Sequence, residues 1–257
     1  MLYSVYAALL VTAALACAAQ TADPVKINLD ILSPEIIQQR LSAVPRKVAD
    51  RKTTLESLFH EAGCDGDNFR EERVPGSKAP NVICALPGES GDEIVVGGHL
   101  DSIEVGMGAV DDWSGAVLLP SLYQSLKGKT RRHRFVFVGF AAEEDGLVGS
   151  REFVHKLSKD EWRRIHAMIN LECLGLGEPE VWVNHADKRL LDAFAVVTNT
   201  IHVHARGMNV DQVGLDDAAL HILHTKADQV SAIHPDDYYT SYRLAAAYLA
   251  YLDTAIE

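Results

Sequence analysis

The feature that most restricts the fold is a change of hydrophobic period along the chain. Asn81–Leu86, Glu93–Gly98, Phe135–Phe140, Met168–Leu171 and Val181–Val183 are short apolar runs of strand length. Between them lie stretches of helical period at Ser114–Leu126, Gly149–Leu157 and Asp187–Ile201. Upstream, Ser33-Pro34 opens a helix with Ser as N-cap and Pro at the first position, and a second helix runs from Pro45 to Ala62 and stops at Gly63. Ser158 and Glu161 form a capping-box pair, and a last helix covers Pro235–Asp253. Strands that alternate with helices pack as a covered sheet. The chain is therefore expected to be α/β, with a mostly parallel central sheet flanked by helices. No internal repeat and no linker divides it.

At 257 residues the chain can bury a sizeable core without covalent staples. Acidic residues outnumber basic ones, 36 to 24, for a formal charge of −12. Such a surface repels phosphate backbones, so nucleic acid is not an expected partner. Val5–Ala19 is almost unbroken apolar sequence, shorter than the ~20 residues that a membrane span requires. The small residues Ala16, Cys17, Ala18 and Ala19 supply a cleavage site. Residues 1–19 thus read as a signal peptide for a secreted or periplasmic protein, despite the lack of Lys or Arg ahead of the apolar run. Lipoprotein anchoring at Cys17 is the minor alternative, because the residue three before it is Ala rather than Leu. Of the other cysteines, Cys64 and Cys84 can pair in an oxidising compartment. Cys173 is expected to pack as a small buried hydrophobe. The odd count and the lack of a CxxC pair argue against a thiolate zinc site.

Chemistry-bearing residues follow the apolar runs. In an open α/β sheet, ligands gather beyond the carboxyl ends of the strands. Here one strand ends in His99-Leu100-Asp101-Ser102, the next in Glu143-Glu144-Asp145-Gly146 and a third in Glu172. Gly108-Ala109-Val110-Asp111-Asp112-Trp113-Ser114-Gly115 lies between the first two as a loop running into a helix. Singly, each has a plain reading: a surface pair, a solvated turn, a helix N-cap. Converging on one sheet end, they would repel and desolvate one another at a cost of several kcal/mol per ion. A divalent cation removes that cost.

The runs Gly97-Gly98-His99-Leu100-Asp101-Ser102, Gly108–Gly115 and Ala142-Glu143-Glu144-Asp145-Gly146-Leu147-Val148-Gly149-Ser150 resemble the M28 family of zinc aminopeptidases and carboxypeptidases. The resemblance spans about Gly97–Glu172 and resumes near His224; residues 23–90 carry little of it. It implies a zinc-exopeptidase-like fold and two zinc ions. By the same resemblance, His99 and Glu172 would ligate the first ion, Asp111 would bridge, often followed by a cis peptide, and Glu144 and His224 would ligate the second. Glu143 would be the general base, and Asp101 would orient the His99 ring. His224-Thr225-Lys226-Ala227-Asp228 resembles the family's His-Thr-x-x-Asp pattern, with His234 as second choice and His221, His202 and His204 as packing or surface residues.

Three departures stand out. The family usually has Asp where this chain has Glu172. Only the short stretch Arg206–Leu223 fills the space that normally holds a strand, a substrate loop and another strand. Leu223 stands where some relatives carry an oxyanion-stabilising Tyr, leaving Tyr238 or Tyr239 as replacements. The expected organisation is a signal peptide over 1–19, an N-terminal helical segment over 20–66 packed on the main domain, and an M28-like domain over 67–257. The expected activity is that of a secreted zinc exopeptidase, aminopeptidase in type, acting on peptide or aminoacyl substrates. The alternatives are a non-catalytic, decayed M28 homologue and a glutaminyl-cyclase-like zinc acyltransferase. The cyclases resemble M28 peptidases but depart at the His-x-Asp and Asp-Asp-x-Ser-Gly details that are intact here. Oligomeric state is not encoded in any of these features.

Overall fold

The computed structural model describes residues 27–184, 186–208 and 221–256. The expected signal peptide and Cys17 lie outside the described residues, as do residues 209–220 of the short stretch before His224. The helices are α1 (Pro34–Ser42), α2 (Val48–Glu61), α3 (Ser114–Ala116), α4 (Leu118–Leu126), α5 (Val148–Lys156), α6 (Lys159–Arg164), α7 (Lys188–Ile201) and α8 (Pro235–Ala255). The strands are β1 (Phe69–Glu72), β2 (Asn81–Leu86), β3 (Glu93–His99), β4 (Arg134–Phe140), β5 (Ile165–Asn170), β6 (Glu180–Trp182) and β7 (Arg206–Met208). Among the described residues, no helix is long and apolar enough to cross a membrane.

Five strands form the central sheet in the order β1-β2-β4-β3-β5. Alternate side chains serve opposite faces, as the two-residue period of a strand requires. Val82, Cys84, Ile94, Val96, Phe135 and Phe137 join a large core with Leu55 and Phe59 of α2, Leu122 of α4 and Tyr242 of α8. Ile83, Val95, Val136 and Val138 face the other way, against Phe153 of α5. Ile37 and Leu41 of α1 belong to the larger core, so the N-terminal helices share it with the sheet.

The sheet is mixed rather than purely parallel, with β2 alone running against the other four strands. β3 runs parallel to β4 and to β5, but β2 is antiparallel to both β1 and β4. The reason is connection length. Six residues, Pro87–Asp92, separate β2 from β3, too few for the crossover that parallel neighbours need. β4 inserts between them instead. β1, with the sequence Phe-Arg-Glu-Glu, gave no strand signal because its residues are charged, a common way to protect a sheet edge. The run at Val181–Val183 does not extend the main sheet either; Glu180–Trp182 pairs in parallel with β7 as a separate two-stranded sheet. β5 consequently stands at the sheet edge with Met168 43% exposed.

Cys64, just beyond α2, is bonded to Cys84 in β2 across 20 residues. Closing a loop of that length lowers the entropy of the unfolded chain by an amount worth about 3 kcal/mol. Replacing both cysteines by Ala is expected to lower the unfolding free energy by about that much, measured by urea denaturation against the oxidised wild type.

Candidate metal centre

β3 carries the first functional residue to the carboxyl end of the sheet, where His99 sits level with Phe140 at the end of β4. The backbone there lies close against α3. A Cβ at Gly98 would sit 2.9 Å from the backbone of Gly115 and Ala116, and one at Gly115 would sit 2.6 Å from an oxygen of Asp112. Those two glycines are what the approach demands. Asp112 fills the gap, fully buried. One of its oxygens accepts the N–H of His99 at 3.0 Å, and the other accepts those of Gly115 and Cys173 at 3.1 Å. The Asp111–Asp112 peptide is cis.

Two further carboxylates bind backbone in the same way. Asp101 accepts the N–H groups of Glu143 and Glu144 at 3.0 and 3.2 Å, tying the turn after β4 to the His99 strand. Its Oδ1 also lies 3.7 Å from Nδ1 of His99. Asp228 accepts the N–H of Val110 at 2.7 Å, and its carbonyl accepts that of Met107.

The remaining carboxylates face one another across the bridging position. Oδ1 of Asp111 lies 2.9 Å from His99 Nε2, which is 3.5 Å from Glu172 Oε1. Oδ2 of Asp111 lies 3.2 Å from His224 Nε2, which is also 3.2 Å from Glu144 Oε2. Each oxygen of Asp111 thus meets one imidazole, and each imidazole in turn lies beside one glutamate. Glu143 Oε2 stands 3.9 Å from His99 Nε2. His99, Asp111 and Glu144 offer donors within metal-ligand reach of one another, and Oε1 of Glu144 is buried without a hydrogen-bond partner. Nitrogen and carboxylate donors of this kind suit zinc, so the residues fit such an ion.

Electrostatics follow from this crowding. Burial pushes Glu143 above the usual carboxylate range; His99 opposes the shift, while Glu172, Asp101 and Asp111 add to it. Burial and the nearby Asp111 push Glu144 up in the same way. Burial alone would depress His99, but Asp101, Asp111 and Glu172 outweigh it and raise the imidazole well above its ordinary value. Asp101 is pulled down despite its burial, by His99 and the two N–H groups it accepts.

The family model for peptidase family M28 matches residues 81–217, more than half of the chain. The chain belongs to peptidase family M28. Among its relatives is leucine aminopeptidase 1 of Metarhizium robertsii, 27% identical over 70% of this chain and 47% of that protein. The chain spans about half the length of that curated relative. Its fold is similar to that of BSAP, a zinc aminopeptidase from Bacillus subtilis, with a TM-score of 0.60 at 20% identity over 66% of this chain and 49% of the other. It is also similar to a glutaminyl cyclase from an Acidobacteriales bacterium, with a TM-score of 0.67 at 17% identity over 90% of this chain and 97% of the other.

Within this M28 chain, His99, Asp101, Asp111, Glu143, Glu144, Glu172 and His224 all come together at one end of the sheet. His234 does not join them: it starts α8, is exposed, and pairs with Asp237 at 3.1 Å. Neither tyrosine hydroxyl is directed at the cluster. Tyr238 donates to the Ser114 carbonyl at 2.8 Å and Tyr239 to that of Leu32 at 3.0 Å. Cys173 is not fully buried; its thiol lies 3.5 Å from Glu172 Oε1, and burial together with that carboxylate keeps it protonated. The strand before Glu172 is half-exposed rather than buried, so Glu172 owes its inward position to the turn after β5. Asp112 and Asp228 entered the sequence reading only as members of quoted motifs, without the work they do on backbone N–H groups, and Arg51 of α2, which lies beneath the loop after His99, did not enter it at all. The two motifs marked the acids, and nothing marked the arginine.

Two outcomes are expected. Glu143, Glu144 and His99 have raised folded-state values, so the stability each contributes is present at low pH and lost as pH rises. For the glutamates that loss begins above 4.5 and for His99 above 6.5, whereas the opposite effect of Asp101 is confined below 3.8. Chelator-treated protein should therefore melt at progressively lower temperature from pH 4.5 through neutrality, and added zinc should restore the loss, as followed by circular dichroism. Asp112→Asn turns one acceptor oxygen into a donor facing backbone N–H. It should cost about 3 kcal/mol or more of unfolding free energy in urea titrations.

Proposed function

We propose that this M28 chain is a zinc-dependent exopeptidase of aminopeptidase type that hydrolyses peptide or aminoacyl amide bonds outside the cytoplasm. The observation that carries the reading is Asp111, whose two oxygens face two different histidines, each of which lies beside its own glutamate. His99, Glu172 and one oxygen of Asp111 would hold one ion; His224, Glu144 and the other oxygen would hold the second. Bound there, zinc lowers the pKa of water and polarises a scissile carbonyl.

The side chains do the rest. Glu143 takes a proton from the attacking water and passes it to the leaving amine, with no covalent intermediate. Its raised value keeps it a stronger base than an ordinary surface glutamate. Asp101 orients the His99 ring and, through the N–H groups it accepts, the turn that carries Glu143 and Glu144. Glu143 and Glu172 are both partly exposed carboxyl groups beside His99, suited to hold the α-ammonium group of a substrate. The apolar leader at residues 1–19 and the Cys64–Cys84 bond both favour export to an oxidising compartment.

A second reading is acyl transfer of the glutaminyl-cyclase kind, favoured by one observation: the alignment covers 97% of the cyclase's chain, against 49% of the zinc aminopeptidase's. Against it stand the intact His99-Leu100-Asp101 and Asp111-Asp112-Trp113-Ser114-Gly115 runs, where such cyclases depart from the peptidases.

The test pairs zinc content with turnover on a panel of aminoacyl-anilides and one N-terminal glutaminyl peptide. Wild type and Glu143→Gln should each hold two zinc ions per chain, and the variant should lose about 10²–10⁴-fold in kcat. Cyclisation of the glutaminyl peptide without anilide hydrolysis would move the assignment to the second reading. Zinc held without any turnover would make the chain a non-catalytic member of the family.

A further inference from the structure

Beneath the carboxylate cluster lies a buried cation that comes from α2, upstream of the residues the family model matches. The Arg51 side chain is fully enclosed. Its Nε–H donates to the carbonyl of Pro45 at 2.9 Å. Nη1 donates to the carbonyls of Leu100 and Asp101, each at 3.3 Å. Nη2 donates to that of Gly108 at 2.9 Å and to that of Met107. The guanidinium also stands 5.6 Å from the centre of the Trp113 ring.

All of these acceptors are backbone carbonyls, and all but Pro45 lie in the irregular loop from Leu100 to Gly108. Two stand at its start and two at its end. His99 directly precedes the first pair, and Asp111 follows the second by three residues. The guanidinium therefore closes the loop across its base, with a proposed ligand on either side. Asp228 holds the end of the same segment, accepting the N–H groups of Met107 and Val110. Gly108 is fitted to the arrangement: a Cβ there would lie 2.8 Å from Nη2. The charge is matched as well, since Asp228, Asp101, Asp112 and Asp111 all act on Arg51. Burial lowers the guanidinium to about 10, which leaves it cationic at neutral pH.

We infer that Arg51 is a positioning residue of the metal centre, which clips the two ends of the Leu100–Gly108 loop together so that His99 and Asp111 stay at ligand spacing. The planar fork of donors is what reaches both ends at once. A lysine ammonium in the same place keeps the charge but is a single point and cannot span them. The inference rests on the two-zinc reading for its metal and not on the identity of the substrate.

The experiment compares wild type with Arg51→Lys and Arg51→Met, at a temperature where circular dichroism shows each to be folded. Zinc affinity is measured by competition with a chromophoric chelator, and ligand geometry by the visible spectrum of the Co²⁺-loaded protein. Both variants should lose about 10–100-fold in affinity for at least one ion, as removal of a ligand-orienting partner does, and should show an altered cobalt spectrum. Folded variants with wild-type affinity and spectrum would overturn the inference, even if they melt at lower temperature. So would full recovery by lysine, which would leave charge alone as the cause. Should neither variant fold, hydrogen exchange of the wild type decides. Zinc should slow exchange in α2, an element with no proposed ligand, and unchanged exchange there would overturn the clip. Loss of zinc affinity in the variants, alongside a wild type that turns over none of the substrates, would sustain Arg51 and remove the peptidase reading.

Discussion

Like charge is the constraint to which this structure answers. Asp101, Asp111, Asp112, Glu143, Glu144, Glu172 and Asp228 converge at one end of a five-stranded sheet, several of them buried. Carboxylates brought together out of water repel one another and lose hydration at the same time. A chain that gathers them must supply compensating positive charge or N–H donors for each.

The fold divides the work. Asp101, Asp112 and Asp228 are met by backbone N–H groups, and Arg51 adds a full positive charge behind them. Each of these acids also joins two or more segments, so what neutralises the charge also holds the loops. Asp111, Glu144 and Glu172 are left facing His99 and His224, a donor set with charge to spare for cations. The acids that touch backbone thereby fix the ones that do not.

What was legible in the sequence follows from how locally each feature is encoded. His99, Glu143 and Glu172 could be read because each follows an apolar run, although for Glu172 it is the turn after β5 that aims the side chain. His224 could be read against His234 because its neighbours form a pattern. The direction of β2 was not legible, since alternating strands and helices describe the chain only from β3 onward and the short β2–β3 connection had to be weighed separately. β1 was hidden by its charges. Arg51 was hidden for a different reason: its partners are carbonyls, which every residue has, and no residue type marks their positions. Tyr238 and Tyr239 of α8 could be placed near the site by number, yet their hydroxyls are committed to the carbonyls of Ser114 and Leu32.

The contact of Gly98 with Gly115 separates two properties that proteins usually couple. Where backbone meets backbone with no side chain between, the distance from β3 to the start of α3 is set by van der Waals radii and by Asp112, not by the volume of the core. Val96 and Leu118 lie in the core on either side of this contact, and apolar replacements there are expected to act on stability first. The separation between His99 and Asp111 does not follow them. The interior is free to evolve while the ruler at the end of the sheet keeps its length.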